Sequence, residues 1–327
     1  MNGVLALTWF EHRRTRELCA GLGIELVLVD TTFRGLRRYL LLTARTITLL
    51  ARRRPGVLLV QSPSLILAVL GVLQRCALGY RLIVDAHNEA VVPYENRQAW
   101  IRWLSCWVIR RADLTIVTNR QLAEIVRKEG GKPFILPDRV PTPPPGTARS
   151  LHAGFNVVLI ATFAKDEPIG AIFEAVRGAD LELYVTGNPR RLDATLAARI
   201  PANVHFTGFL SEQDYWGLLR SANAIVDLTL RPDCLVCGAY EALALGKPML
   251  LSNNAASMEL FGDGAVFTDN SPRNIRMALE RVRVEQPHLE AAAQLKRREL
   301  TERWQATAQA LSDALTVGQP RARPQSA

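Results

Sequence analysis

The chain has 327 residues, 48% of them apolar, which is enough for about two domains of roughly 150 residues with packed cores of their own. Its five cysteines, an odd number, exclude a disulfide framework, and with no signal peptide in view they point to a reducing cytoplasm. The formal net charge of +9 is concentrated in residues 1–150, with 22 Lys/Arg against 11 Asp/Glu, so that half faces nucleic acid, an acidic membrane surface or an anionic substrate.

In chain order, "GVLALTW" from Gly3 reads as a strand and "HRRTRELCAGLG" as a helix ended by Gly21 or Gly23. "IELVLVD" is the next strand, followed by a long basic helix from about Leu36 to Arg53, stopped by Pro55. "GVLLVQSP" is a strand, Leu65 to Leu78 a helix, and "RLIVDAHN" a strand with a polar exit. The apolar run Leu65 to Leu73 is shorter than the ~18 residues of a membrane span and suits a buried helix. "RQAWIRWLSCWVIRRA" is a second basic helix, "DLTIVTN" a strand, "RQLAEIVRKEGG" a helix and "PFILPD" a short strand. Continuous apolar strands separated by helices predict a parallel sheet covered on both faces.

"PDRVPTPPPGTARS", with five prolines in fourteen residues, reads as a stiff linker. The alternation then restarts with "FNVVLIATF", "LELYVTG", "NVHFTG", "AIVDLTL", "PMLLSNN" and "AVFTD". The expected layout is an N-terminal domain over 1–140, a linker over 141–150, a second domain over 151–287, a helix over 288–316 that packs back on the first domain, and a disordered tail over 317–327. Ligands of open parallel sheets sit beyond the carboxyl ends of the strands, which singles out the strand exits, among them Gly187 and Asn188.

One exit carries two cysteines, in "RPDCLVCGAYEALALGKP". A structural zinc needs four ligands, and no second C-x-x-C pair accompanies Cys234 and Cys237. The bland reading is that both fill space near a helix start. The segment leads from a strand's carboxyl end into a helix N-terminus, where unpaired amides and the helix dipole favour a phosphate. Gly238 allows close backbone approach. Glu241, one turn in, can accept hydrogen bonds from ribose hydroxyls, and Asp233 from those of a second sugar. A phosphate between two polyols describes a nucleotide sugar.

Asp233, seven further residues, then Glu241-Ala242 and "GKPMLLS" resemble the signature of GT-B-fold glycosyltransferases of the family 4/1 type. "NVHFTGFLSEQDYWGLLRSANAIVDLTL", including Gly208, and "MELFGDGAVFTDNSPRNIRMAL" are similar to the regions flanking that signature. The family's commoner pattern has glutamate first, where this chain has Asp233. The resemblance implies an α/β GT-B architecture, two Rossmann-like parallel domains facing each other across a cleft, and a nucleotide-diphosphate sugar donor with no metal or other cofactor. By position, Glu241 would bind the ribose, Asp233 the donor sugar, and the amides around Cys234, Leu235, Val236, Cys237 and Gly238 the phosphates. Relatives place an Arg and a Lys in the loop "ATFAKDEP"; here Thr162 and Glu167 align with them, and Lys165 is the remaining cation. That loop also resembles the one in lipid-linked chitobiose mannosyltransferases, with "VQSP" and "DAHN" fitting loosely. Its competing reading is that Asp166 and Glu167 cap the next helix.

In the first domain the resemblance puts His87 at the donor sugar. Asp85, Glu89, Glu11 or His12 could serve as a general base, and Trp9 and Arg13 could meet the acceptor. For "TWFEHRRTRE" the plain alternative is a charged helix start. The Arg-rich helix after Leu36 and the Trp100, Trp103, Trp107 spacing suit an anionic membrane surface, or else a core with a solvated face. The leading expectation is a cytoplasmic enzyme, peripheral on the inner face of the membrane. It would move a sugar from a nucleotide-diphosphate donor to a lipid-linked saccharide and bind no nucleic acid. A nucleotide-sugar 2-epimerase of the same fold and a non-catalytic basic membrane- or nucleic-acid-binding protein are the alternatives.

Overall fold

The computed structural model describes residues 3–62, 64–92 and 98–316. Pro63 and the tail 317–327 therefore lie outside the described residues. The chain divides into two compact units, residues 1–139 with 303–327, and residues 140–302.

The first unit opens with β1 (Val4–Thr8), α1 (Arg13–Leu22), β2 (Glu25–Leu28) and α2 (Gly35–Arg53). It continues with β3 (Val57–Ser62), α3 (Leu65–Leu78), β4 (Arg81–Ala86) and the single turn α4 (Asn88–Val91). α5 (Ala99–Arg111), β5 (Leu114–Val117), α6 (Arg120–Lys128) and β6 (Pro133–Ile135) complete it. The six strands pair in parallel in the order β2-β1-β3-β4-β5-β6. Alternation along each strand separates two cores. Leu5, Leu7, Leu58, Val60, Leu82 and Val84 pack under α2, α3 and α5. Val4, Ala6, Val57, Leu59 and Ile83 face the opposite way. β1 and β3 are buried at every position, which explains why they read as unbroken apolar runs.

The second unit contains β7 (Asn156–Leu159), α7 (Ile169–Val176), β8 (Glu182–Thr186), α8 (Ala194–Ala197) and β9 (Val204–Gly208). α9 (Glu212–Ser221), β10 (Ala224–Asp227), α10 (Cys237–Leu245) and β11 (Met249–Ser252) follow. Then come α11 (Ala255–Phe261), β12 (Val266–Thr268), α12 (Pro272–Val284) and the start of α13 (Gln286–Thr316). The order β12-β11-β10-β7-β8-β9, again all parallel, is the doubly wound Rossmann arrangement. Its chain order reverses between β7 and β10, so the loops after those two strands flank the crevice where such sheets bind ligands.

The Pro-rich stretch is pinned at both ends. Asp138 and Arg139 ion-pair with Arg14 and Glu17 inside the first unit. Arg149 exchanges hydrogen bonds with Ser221 inside the second. The distal part of α13 completes the first unit's second core: Trp304, Ala308, Leu311 and Leu315 pack with Leu18, Cys19 and Leu22 of α1 and with the sheet. Trp304 also donates from Nε1 to the Pro137 carbonyl at 3.2 Å. Trp304→Ala should therefore destabilise the first unit by about 3 kcal/mol or more, read as a lower urea midpoint.

Candidate active site

In the first unit the polar groups gather past the carboxyl ends of β1, β4 and β6. Arg14, the second residue of α1, is buried with its guanidinium spread between two carboxylates. Nε and Nη2 donate to Asp85 at 2.9–3.3 Å, Nη2 also donates to the Leu136 carbonyl at 3.0 Å, and Nη1 donates to Asp138. Burial works against the charge on Arg14, but the two carboxylates more than offset it and the pKa rises. Burial likewise pushes Asp138 up, and Arg14 with the neighbouring imidazoles outweighs it, holding the carboxyl below its usual range. A buried charge this well paired is costly to break, by about 3–5 kcal/mol when one partner is removed.

Two histidines sit against this cluster. The rings of His12 and His87 meet edge to face with centroids 4.8 Å apart. His87 Nε2 lies 4.0 Å from Asp85 Oδ2. Burial lowers the His87 pKa to about 4 despite the pull of Asp85. Desolvation also lowers His12, against the pull of Asp138 and Asp85. Both imidazoles are therefore neutral at pH 7 and can donate and accept hydrogen bonds without repelling one another.

The structure corrects two expectations in this unit. Asp85 is fully buried and occupied by Arg14, so it anchors the cluster and cannot serve as a general base. Trp9 is fully buried in the core and donates from Nε1 to Thr46 at 3.0 Å, so its side chain meets no acceptor. Glu11 is exposed and pairs with Arg16 at 3.1 Å, and Arg13 is the first residue of α1. Glu89, on α4, lines a cavity together with Ser62 and Ser64.

In the second unit the exits of β7, β10, β11 and β12 are laced together by side chains. Asp166 accepts from Thr229 Oγ1 at 3.0 Å and pairs with Arg231 at 3.1 Å. Ser252 Oγ accepts from Thr229 N and donates to Asn270, which in turn donates to the Thr229 carbonyl. Asn254 donates to the Cys234 carbonyl at 3.1 Å, fixing the 231–236 loop to the start of α11. Three non-glycine residues take the left-handed conformation in these loops: Phe163 (φ 58°), Asp233 (φ 56°) and Asn270 (φ 67°). For Phe163 and Asp233 that geometry costs of order 1–3 kcal/mol each, so the surrounding bonds must enforce it.

Neither Asp166 nor Glu167 caps the following helix. Glu167 folds back to accept from the amides of Thr162 and Phe163 and from Thr162 Oγ1, at 2.6–3.0 Å. Lys165 is exposed, and Arg231, tied to Asp166, is a second cation beside it in the same loop system. Gly187 (φ 89°) abuts β7: a Cβ there would stand 2.3 Å from the Ala161 carbonyl. Asn188 caps a 3-10 turn by accepting from Arg190 N.

Gly238 serves a purpose other than the expected one. Its amide donates to Asp227 Oδ2 at 2.8 Å, and a Cβ would lie 2.6 Å from that oxygen. The amide is thus committed to Asp227 and leaves the phosphate-facing set. Cys237 is exposed at the first position of α10 and Cys234 is half-buried, so the pair does not fill a core. Glu241 is buried and accepts from Tyr215 Oη at 2.5 Å. Burial, then Glu241, pushes the Tyr215 hydroxyl pKa up. Burial raises Asp227 well above the usual carboxylate range, helped by Glu241, Glu167 and Asp166 and opposed by the Gly238 amide.

Arg14, Asp138, Tyr215 and Asp227 were missed by sequence reasoning, which placed Arg231 in the exit loop without giving it a role. Asp227 and Asp138 each close a strand or follow one, which is the signal that could have found them. Arg14 and Tyr215 lie inside amphipathic helices, where sequence offers no such mark.

These two sets of strand-end groups stand on two Rossmann-like parallel α/β sheets. Residues 4–137 match the model of the glycosyl transferase 4-like domain. No curated protein matches the sequence. Among solved structures the chain resembles sucrose-phosphate synthase from Thermosynechococcus elongatus, with a TM-score of 0.77 at 14% identity over 96% of this chain and 98% of that one. It also resembles Anabaena HepE in complex with UDP and glucose, with a TM-score of 0.73 at 12% identity over 96% and 99%. A putative UDP-N-acetylglucosamine 2-epimerase from Listeria monocytogenes matches at a TM-score of 0.60 and 15% identity over 90% and 91%. The first unit thus carries the match to the glycosyl transferase 4-like domain, and the chain as a whole has the GT-B fold of these neighbours.

The His87 pKa sets a pH dependence. Between pH 6.5 and 4 the unfolded chain takes up a proton at this imidazole that the folded chain refuses, so stability falls as the pH drops. The loss at pH 4 should be about 3 kcal/mol. Urea unfolding at pH 7, 5.5 and 4 should show this extra slope in the wild type and not in His87→Asn.

Proposed function

We propose that the protein transfers a hexosyl group from a nucleoside diphosphate sugar, held by the second unit, to a lipid-linked saccharide presented to the first. The reaction serves polysaccharide or glycolipid synthesis at the cytoplasmic face of an anionic membrane. The observation that carries this reading is the laced set of strand exits at the β7/β10 reversal, with Glu241 behind it held by Tyr215. HepE, of the same fold, was solved with UDP and with UDP-glucose, which supports a donor of that chemistry.

The residues divide the work by chemistry. Glu241, its carboxylate oriented by Tyr215, accepts from the ribose hydroxyls. Asp233, at the strained turn, accepts from the donor sugar. Lys165 and Arg231 offset the charge that grows on the departing diphosphate. His87, kept neutral, hydrogen-bonds a hydroxyl of the donor sugar. As the acceptor oxygen bonds to the anomeric carbon and the diphosphate leaves, the acceptor proton passes to Glu89, His12 or Glu11. The acid-poor, Arg-rich helices of the first unit hold the enzyme at the membrane; among the described residues no helix is long and apolar enough to cross one.

A thermal-shift panel should show stabilisation by a UDP- or GDP-linked sugar, since a ligand that binds only the folded state raises the melting temperature. Glu241→Gln keeps an acceptor for Tyr215 yet should weaken binding at least tenfold; unchanged affinity would remove the ribose assignment. Exposed Cys237 and Cys76 should both react with a maleimide, and saturating UDP should slow Cys237 alone. Release of an epimerised nucleotide sugar without acceptor would replace the transferase reading.

A further inference from the structure

Three side chains of the second unit that the transfer chemistry does not use meet at the opposite end of its sheet. Glu182 is the first residue of β8 and His205 the second of β9. Glu182 and Tyr184 share one face of β8, and Tyr184 pairs across the ladder with His205, so strand alternation puts all three on one side. Their neighbours Leu183, Val185, Val204 and Phe206 go to the core on the other side. His152, shortly before β7, reaches the same point from the end of the Pro-rich segment. One nitrogen of each imidazole and one Glu182 oxygen lie within 4.8 Å of one another.

The three are already held in place. His205 Nε2 is 2.6 Å from Glu182 Oε2, and the His152 and His205 rings stack with centroids 4.5 Å apart. Tyr184 Oη accepts from the His152 amide at 3.0 Å and lies 2.6 Å from His152 Nδ1. The His152 carbonyl accepts from Asn156 Nδ2 at 2.9 Å, which ties the loop to β7. His152 is exposed and Glu182 and His205 are half-buried, so an ion reaches them from solvent. Two imidazoles and a carboxylate form a donor set for zinc-like ions, whereas magnesium and calcium prefer oxygen alone. Ligand atoms around a tetrahedral zinc stand about 3.3 Å apart, a spacing that small rotations of these side chains supply.

We propose that His152, Glu182 and His205 bind a divalent transition metal of the zinc class, with water in the fourth position. The ion fastens the segment before β7 to β8 and to the edge strand β9. The site lies at the amino ends of those strands, away from the laced strand exits, so it takes no part in sugar transfer and stands independently of that reading. A cluster that is only hydrogen-bonded is the alternative, and it predicts no metal uptake at these residues.

The test is calorimetric titration of the chelator-stripped full chain with zinc chloride, paired with the absorption spectrum of the cobalt(II) form. Wild type should take up a single zinc per chain at micromolar concentration, and magnesium should not compete. The cobalt form should lack the sulfur charge-transfer band that exposed Cys76 or Cys237 would give as a ligand. His152→Asn and His205→Asn should each weaken zinc binding about tenfold or more, whereas exposed His288→Asn should leave it unchanged. Zinc should slow amide exchange over residues 150–154 in wild type and not in His152→Asn. A wild type that takes up no zinc or shows the sulfur band overturns the inference, as does equal binding by wild type and His152→Asn. His152 lies in an exposed loop, so its variant decides the matter even if His205→Asn fails to fold. His152→Asn should also keep the wild-type UDP thermal shift. A chain that binds zinc here but no nucleotide sugar loses the transferase reading and keeps this site; one that binds UDP but no zinc does the reverse.

Discussion

A parallel strand covered on both faces has little room for polar chemistry along its length. Both sheets here obey that constraint, and it decides where everything else goes. β1 and β3 are buried at all positions, and the alternate residues of each strand feed two separate apolar cores. Charged and hydrogen-bonding groups are pushed to the strand ends. There the helix N-termini, loops and carboxylates collect in one layer per sheet.

The two units solve the resulting electrostatic problem differently. In the first, one buried guanidinium, Arg14, neutralises two carboxylates from different exits and leaves two imidazoles without charge beside it. In the second, the Asp166–Arg231 pair joins two exits but is only half-buried. Serine, threonine and asparagine side chains also hold the loops, and burial, with other acids nearby, raises the Asp227 pKa well above the usual carboxylate range. That network also explains how Phe163 and Asp233 stay in a backbone conformation neither residue favours. A loop held that firmly arrives shaped, so a ligand need not supply the ordering energy.

The helices that cover the first unit are unequal partners in its fold. α2 is 19 residues long yet buries only Leu42, Thr46 and Leu50, a one-residue-wide stripe. Leu49 packs partly against the same core, while Leu36, Tyr39, Leu40 and Ile47 are exposed among arginines. On that outward face Tyr39 also lines the cavity of the first unit.

Periodicity and punctuation carried the fold. Apolar runs marked each strand, and Pro55 and Gly246 marked helix ends, because burial on both faces and backbone sterics act locally. The Asp233–Glu241 spacing was legible for the same reason, since both residues belong to one strand–loop–helix unit. Partnerships across the sequence were not legible. Trp9 reads as a strand-exit aromatic, but packing and Thr46 turn it into the core. Asp85 reads as a base until Arg14, 71 residues away, occupies it. Gly238 reads as a phosphate-facing glycine, and Asp227 takes its amide. The sequence by itself determined the two parallel sheets and the strand ends at which chemistry could occur. Only the tertiary structure decided which of those groups are spent on one another and which still face solvent, because ion pairing and desolvation depend on distances that chain order does not encode.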